Sequence, residues 1–277
     1  MLLGYNTNGL AHHDPLEAID LLAELGYRSV AITLDHNLLS PRLGEEELAR
    51  QVEQVRERLA EHNMRSVVET GARFLLDPRR KHQPTLLSSA NARRPRIEFL
   101  RHAIRVAAAL GSDCVSLWSG TATEPLSAEE AETRLAIGLA EVLTEAEAHE
   151  VTLGFEPEPG MFIDTMAKWD SLRERVNHER LQLTLDLGHL HCMGETPLEE
   201  YVLRYGPQLG HIHIEDMRAG VHEHLMFGEG EIDFAPVFAA LGAVNYTGGV
   251  HVELSRHSHE APQAARRAAE FLAPWFA

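Results

Sequence analysis

The chain has 277 residues, of which 44% are hydrophobic and 24% charged, and its formal net charge is −17. This composition is that of a globular protein and excludes the collagen-like, disordered and disulfide-scaffold classes. The acidic charge disfavours a nucleic-acid partner. No apolar run reaches the roughly 18 residues of a membrane span, and the start of the chain lacks a signal-peptide pattern. We therefore expect a cytoplasmic protein without a membrane partner.

Short β-rich runs alternate with helical patterns along the whole chain. The predicted strands are 2–6, 29–34, 65–70, 114–119, 151–156, 181–186, 210–215 and 248–254. The predicted helices are 15–26, 45–62, 95–110, 127–149, 165–176, 197–206, 233–244 and 262–276. Ser127 and Glu130 form a capping-box pattern, and Gly26, Gly111 and Gly242 occupy positions typical of helix C-termini. This alternation predicts one α/β domain, a single (β/α)8 TIM barrel over 1–277.

A doubly wound open sheet is the alternative architecture. It usually carries a Gly-rich phosphate turn after its first strand, where this chain continues with polar residues 6–8. In the run 210–215, Ile212 and Ile214 share one face, while His211, His213 and Glu215 share the other. The run 248–254 alternates in the same way. The strands therefore predict a barrel with a polar interior, which is costly unless its groups are paired or bind something.

A basic segment interrupts the acidic chain. Residues 71–96 contain seven Arg and Lys residues and one acidic residue, a local net charge of +6. The part 71–94 has no strong regular pattern, and loops of this length are often lids over a binding site. As a lid it would receive a phosphate or carboxylate of an anionic substrate. A solvated loop that balances a nearby acidic face is the alternative.

Histidine is unusually concentrated in the second half of the chain, where nine of the 17 histidines lie between positions 189 and 259. Such clustering indicates metal or acid–base chemistry. Glu156, Asp186, His213 and Glu253 stand on four consecutive predicted strands, whose C-terminal ends meet at one rim of a barrel. Three carboxylates and one imidazole suit a single divalent ion. Mn²⁺ fits best, and Zn²⁺, Mg²⁺ or Co²⁺ are alternatives.

These residues resemble the pattern of the xylose isomerase-like TIM barrels, the superfamily of sugar phosphate isomerases and epimerases that is related to endonuclease IV. Members carry a Glu on strand 5, an Asp and a His three residues later after strand 6, a His on strand 7 and a Glu on strand 8. The matching residues here are Glu156, Asp186 with His189, His213 and Glu253. The resemblance implies that both glutamates bind metal and exchange the substrate proton. It also implies that His189 and Arg218 hold substrate oxygens, and that the chain forms a homodimer or homotetramer.

The loop after strand 7 also resembles endonuclease IV, a family that binds three zinc ions and places an Asp and a His there. His222 matches the His, whereas Gly220 stands at the Asp position. Trp118 stands where a strand-4 histidine ligand would be expected. These departures disfavour DNA repair, but they leave open a second metal ion held by His189 and His222.

The sequence therefore predicts a metal-dependent isomerase or epimerase of a small sugar, sugar acid or polyol derivative. Proton removal creates an enediolate whose negative oxygens need an electrophile, and a divalent ion supplies one. Glu156 and Glu253 would act as base and acid. Further substrate contacts are expected at Glu69, Arg73, Glu158, Trp118 and His257. The alternatives are a metal-dependent dehydratase of a keto-polyol, a multi-metal phosphoesterase like endonuclease IV, and a barrel that only binds a ligand.

Overall fold

Eight parallel strands close into a barrel in the computed structural model, which describes residues 1–276 and leaves Ala277 of the predicted span 1–277 outside. The strands, in chain order, are β1 Leu2–Asn6, β2 Ser29–Thr33, β3 Arg65–Glu69, β4 Val115–Trp118, β5 Leu153–Glu156, β6 Leu181–Asp186, β7 Leu209–Ile214, β8 Asp216–Arg218, β9 Val221–Leu225 and β10 Gly249–Val252. Strands β1 to β7 follow one another around the barrel, and β10 closes it between β7 and β1. Strands β8 and β9 form a separate antiparallel hairpin. The predicted (β/α)8 barrel is confirmed.

Helices follow the barrel strands and form the outer layer. They are α1 Pro15–Glu24, α2 Glu45–Glu61, α3 Arg94–Leu110, α4 Ala128–Ala148, α5 Met166–Val176, α6 Leu187–Cys192, α7 Leu198–Tyr205, α8 Phe234–Ala243 and α9 Ala261–Leu272. The short helix α6 and the β8–β9 hairpin were not predicted. None of the helices in the described part of the chain combines the length and apolar character needed to cross a membrane.

Local signals at the helix ends explain most of the boundaries. The Ser127 side chain accepts a hydrogen bond from the Glu130 amide at 3.2 Å, so the capping pattern of α4 is confirmed. Gly111 ends α3 with a φ of 68°, which a residue without Cβ adopts at little cost. The expected glycine end of α8 is wrong, because the helix continues through Gly242 to Ala243 and Val244 caps it with a φ of −84°.

The barrel wall separates an apolar layer from a polar interior. Phe155, Val250 and Val252 are fully buried against the helices, and burial of such side chains contributes about 1.5–3 kcal/mol each. The opposite faces of the strands carry most of the polar groups, and the small residues Ala31, Val67 and Cys114 form a separate apolar cluster. The register between neighbouring strands determines the position of each polar side chain along the barrel axis. Polar residues at the C-terminal ends of the strands therefore meet at one rim.

Candidate metal and active site

The four predicted metal ligands converge at the C-terminal rim of the barrel. One ligand atom each from Glu156, Asp186, His213 and Glu253 lies within 4.8 Å of the other three. Nδ1 of His213 is 3.0 Å from Glu156 Oε1, 3.3 Å from Glu253 Oε2 and 3.9 Å from Asp186 Oδ2. Glu156, Asp186 and His213 are buried, and the side chain of Glu253 is 16% exposed. The imidazole therefore sits among three carboxylates at the floor of an open mouth.

Strand ends and one helix cap hold these side chains in place. Glu156 is the last residue of β5, and Pro157 follows it. Asp186 pairs in register with His213 across β6 and β7, and its Oδ1 accepts a hydrogen bond from the His189 amide at 2.8 Å. Asp186 therefore also caps the N-terminus of α6. This cap fixes its carboxylate and leaves the second oxygen, Oδ2, for another partner.

The excess of carboxylates controls the charge of His213. Burial alone would lower the pKa of His213, yet its carboxylate neighbours hold that pKa well above its ordinary value. Glu253 has the largest such effect, followed by Glu156 and Glu69. Burial raises the pKa of Glu156 to about 8. The metal-free protein therefore keeps a proton on His213, which supplies a positive charge among the carboxylates.

The donor set fits a divalent ion. Although burial alone would raise its pKa, the imidazoles of His189 and His213 lower the pKa of Asp186 to about 2, so this carboxylate is ionised. Among the described residues, Oδ2 of Asp186 is buried and has no hydrogen-bond partner. A buried carboxylate oxygen without a hydrogen-bond partner destabilises the folded protein. Three carboxylates and an imidazole are ligands that suit Mn²⁺, Mg²⁺ or Zn²⁺.

Two further residues, Glu69 and Asn8, hold members of this cluster, a role that the sequence does not predict for either. Glu69, at the end of β3, has its Oε1 3.0 Å from Nε2 of His213. It lines the cavity, so a direct substrate contact stays a prediction, and its carboxylate also holds the imidazole. Asn8 donates a hydrogen bond from Nδ2 to Glu253 Oε1 at 2.7 Å. The run of polar residues Asn6, Thr7 and Asn8 at the C-terminal end of β1 was the signal in the sequence for a contact at this rim.

A second group of imidazoles lies beside the first. Ligand atoms of His189, His222 and His224 all lie within 4.8 Å of one another. Burial lowers the pKa of His189 to about 4, and neither of its ring nitrogens has a hydrogen-bond partner among the described residues. The carboxylate of Glu158 lies 3.8 Å from His189 Nδ1 and 3.9 Å from His222 Nε2. This group, with Glu158 at its edge, is a candidate for a second ion or for substrate oxygens.

The β8–β9 hairpin corrects the register expected for this loop. Gly220 has a φ of 72° at the turn of the hairpin, so it is a turn residue and not the counterpart of a ligand. The side chains that reach His189 are His222 and His224, which share one face of β9 because they are two residues apart. His224 was missed by the sequence analysis, although this spacing was visible.

The carboxylate floor opens into a cavity of about 900 Å³. The floor is formed by Glu69, Glu156, His213 and Glu253, and Trp118, Glu158 and His222 line the wall. Trp118 also packs against His82 with ring centroids 5.0 Å apart. A cavity of this size is typical of small-molecule sites.

The basic segment contributes fewer cations to this cavity than its charge predicts. It consists of turns and bends over 70–93, and Arg73 and Lys81 are the two of its seven basic residues that line the cavity. Arg96 is buried and donates to the carbonyls of His82 and Pro84, both at 2.9 Å. Arg96 thus anchors the segment. Closure of the segment as a lid stays a prediction.

Two expected substrate contacts lie away from the cavity lining. Arg218 is exposed on the hairpin and donates to the carbonyl of Glu229 at 2.8 Å. His257 is not among the lining residues, whereas its neighbours Arg256 and Ser258 are. The spacing after β7 and β10 located the right loops, but in these turns it did not determine which side chain faces inward.

Comparison with known proteins gives a sequence relative that is a sugar phosphate epimerase and solved structures with the same fold. L-ribulose-5-phosphate 3-epimerase UlaE of Escherichia coli is 28% identical over 254 residues, which cover 90% of this chain and 85% of the relative. D-allulose 3-epimerase from Methylomonas sp. has the same fold, with a TM-score of 0.78, 21% identity and coverage of 99% of this chain and 98% of that one. The zinc-bound IOLI protein also shares the fold, with a TM-score of 0.78, 20% identity and coverage of 100% and 98%.

A family model, the xylose isomerase-like TIM barrel, matches residues 19–275. This span includes β2 to β10 and all four residues of the carboxylate–imidazole cluster. The chain therefore belongs to the xylose isomerase-like TIM barrel family.

Proposed function

We propose that this protein is a divalent-metal-dependent epimerase or isomerase of a small sugar-type substrate. The observation that carries the proposal is the cluster of three carboxylates around His213 at the floor of the cavity. The name of the relative from Escherichia coli, a sugar phosphate 3-epimerase, agrees with this reaction class. Glu156, Asp186, His213 and Glu253 would hold the ion, for which Mn²⁺ is favoured.

A bound divalent ion would stabilise the negative oxygen that forms when the carbon next to a carbonyl loses its proton. Glu156 and Glu253 approach from β5 and from the end of β10, with β6 and β7 between them in the barrel. One carboxylate removes the proton and the other returns it. Asn8 holds Glu253 through its Oε1. Proton return to the opposite face gives epimerisation, and return to the neighbouring carbon gives isomerisation.

The cavity favours a substrate with an anionic group. Arg73 and Lys81 line it on the side of the basic segment, and neither has a carboxylate partner within 4.0 Å in the described residues. A phosphate or carboxylate at the outer end of a ketose would neutralise them. This assignment predicts that L-ribulose 5-phosphate is used better than L-ribulose. Substitution of Arg73 or Lys81 by Gln should raise KM for the phosphorylated sugar only.

His189, His222 and His224 offer a place for a second ion, since three imidazoles suit Zn²⁺. Although burial alone would lower it, the carboxylate of Glu215 raises the pKa of His224 to about 10, so an ion bound there would displace a proton. Two or three ions per chain would favour the alternative, a multi-metal phosphoesterase. One ion leaves His189 to hold substrate oxygens beside Glu156, whose Oε1 is 3.6 Å from its Nδ1. A homodimer or homotetramer stays a prediction.

The proposal is tested by proton exchange with solvent. Metal-loaded protein is incubated with L-ribulose 5-phosphate in deuterium oxide, and deuterium at the carbon next to the carbonyl is followed by NMR. Glu253→Gln should abolish exchange while the sugar still binds, whereas Glu270→Gln, an exposed change on α9, should leave it intact. Sugar binding without exchange in the wild type would favour a pure binding protein, and expulsion of hydroxide would favour the dehydratase.

A further inference from the structure

A column of polar side chains runs down the barrel interior beneath the carboxylate–imidazole cluster. We call Glu69, His211, His251 and Ser29 the interior column. Nδ1 of His211 lies 3.4 Å from Oε1 of Glu69. Nε2 of His211 is 2.7 Å from Nδ1 of His251, and Nε2 of His251 is 2.9 Å from Ser29 Oγ. The column therefore links Glu69 to a hydroxyl deep in the barrel.

Neighbouring strands leave space for the His251 ring. A Cβ atom at Gly4 or at Gly249 would overlap the His251 ring. Gly4 and His251 stand opposite each other on β1 and β10. Glycine in a strand interior weakens the strand. The His251 ring is thus accommodated by two glycines, one on β1 and one on β10.

Each hydrogen bond of the column carries a single hydrogen. His211, His251 and Ser29 are fully buried. Nε2 of His211 and Nδ1 of His251 are 2.7 Å apart, so one of these nitrogens donates and the other accepts. A neutral imidazole has one nitrogen that donates and one that accepts. Each hydrogen bond in the column therefore fixes the tautomer of the next ring.

The direction of the column follows from its upper end. Nδ1 of His213 faces the metal-site carboxylates, so a bound ion requires a lone pair on Nδ1 and the proton on Nε2. Glu69 Oε1 accepts a hydrogen bond from that N–H group at 3.0 Å. Nδ1 of His211 has no partner with hydrogen-bond geometry among the described residues, and the nearest carboxylate oxygen is that of Glu69. We place the hydrogen on this nitrogen, because a lone pair there would face the negative carboxylate of Glu69 at 3.4 Å.

The remaining hydrogens then follow in order. Nε2 of His211 accepts from Nδ1 of His251, and Nε2 of His251 accepts from the hydroxyl of Ser29. In this order each ring carries its hydrogen on the nitrogen nearer to Glu69, and Glu69 also lies within reach of Ser116. A buried carboxylate that accepts from several donors keeps one orientation.

We propose that the interior column positions His213. Glu69 holds the proton on Nε2 of His213, which leaves Nδ1 of the same ring free for the ion. This inference rests on the proposed metal-dependent function. Glu69 is a positioning residue here, since it acts through His213. Partners of this kind typically change metal affinity by about 10–100-fold when they are replaced.

Zinc binding by calorimetry tests the energetic part. Glu69→Gln should raise the Kd for Zn²⁺ about 10–100-fold, because an amide can present its NH₂ group to His213. Ser29→Ala, at the far end, should give a smaller loss of less than about tenfold. Ser66→Ala is the matched control, since its buried hydroxyl bonds to Ser112 on the other side of β3 and should leave the Kd unchanged.

Histidine tautomers, read by nitrogen NMR on selectively labelled protein, test the direction. The hydrogen should lie on Nδ1 of His211 and His251 with or without Zn²⁺, and on Nε2 of His213 in the zinc form. A hydrogen on Nε2 of His251, or an unchanged Kd in Glu69→Gln, would overturn the inference. A wild type that binds no metal would instead refute the proposed function. A structural role alone would lower Tm in Ser29→Ala and Ser66→Ala alike.

Discussion

Metal binding should stabilise this protein in a way that depends strongly on pH. In the metal-free protein, a proton on His213 occupies the centre of the carboxylate cluster, and the pKa of that imidazole is well above its ordinary value. An ion that binds Nδ1 must displace this proton. The pKa of Glu156 is about 8 because of burial, so a second proton can leave when the ion binds. The proton and the ion therefore compete for one place.

The size of the effect can be estimated from linkage. At a free metal concentration of about 100 times Kd, binding stabilises the folded state by about 2.7 kcal/mol. Each kcal/mol shifts Tm by about 2–4 °C in a chain of roughly this size, so a rise of about 5–10 °C is expected. One displaced proton changes Kd about tenfold per pH unit. At the same metal concentration, a change from about pH 8 to about pH 6 should reduce the stabilisation by the metal to less than about 0.5 kcal/mol.

The metal-free protein should respond in the opposite sense. The raised pKa values of His213 and Glu156 mean that both groups hold protons more tightly when folded. Their contribution to stability is present below their unfolded pKa values and is lost as pH rises through the folded ones. Tm without metal should thus fall from about pH 6 to about pH 8, while the increment from metal grows.

The assay is thermal unfolding of chelator-treated protein with and without Mn²⁺ at several pH values. His213→Gln removes both the ligand and the competing proton, and should abolish the pH-dependent increment. Glu270→Gln, exposed on α9, is the control and should behave as the wild type. An increment that is independent of pH, or that persists in His213→Gln, would refute the competition between proton and ion.

Three substitutions test single contacts. Glu253→Gln should lower kcat by about 10²–10⁴-fold with sugar affinity retained, and normal turnover would rule out the two-glutamate mechanism. Asn8→Ala removes the 2.7 Å hydrogen bond to Glu253, which contributes about 1.5–3 kcal/mol. We expect kcat to fall at least about tenfold with little change in KM. A change in KM alone would show that Asn8 binds substrate. Gly188→Ala places a Cβ onto the carboxylate of Glu215. Calorimetric unfolding should show a loss of about 1–3 kcal/mol, and an unchanged Tm would mean that Glu215 moves freely.

The barrel and the grouping of the four candidate ligands could be predicted from the sequence, because both depend on local patterns. Strand alternation determines which residues face inward, and parallel strands place their C-terminal ends at one rim. Asp186, His213 and Glu253 could therefore be grouped without knowing any distance. The hairpin β8–β9 and helix α6 were missed because each is short, and α6 depends on the cap that Asp186 provides.

The contacts that complete the site are not local. Glu69 and His213 are 144 residues apart in the chain, yet their side chains are hydrogen-bonded. Asn8 and Glu253 are separated by 245 residues. No spacing in the sequence indicates that Glu69 would hold an imidazole rather than a substrate. The orientation of Arg218 likewise depends on its hydrogen bond to the carbonyl of Glu229, which forms only in the folded protein.

Metal content tests the central claim most directly. Protein purified without chelator and then saturated with Mn²⁺ should retain about one divalent ion per chain, measured by elemental analysis. His213→Gln should lose that ion, since it removes the imidazole at the centre of the cluster. Two or three zinc ions in the purified protein would favour phosphoester hydrolysis. Absence of any bound ion in the saturated wild type would contradict the account.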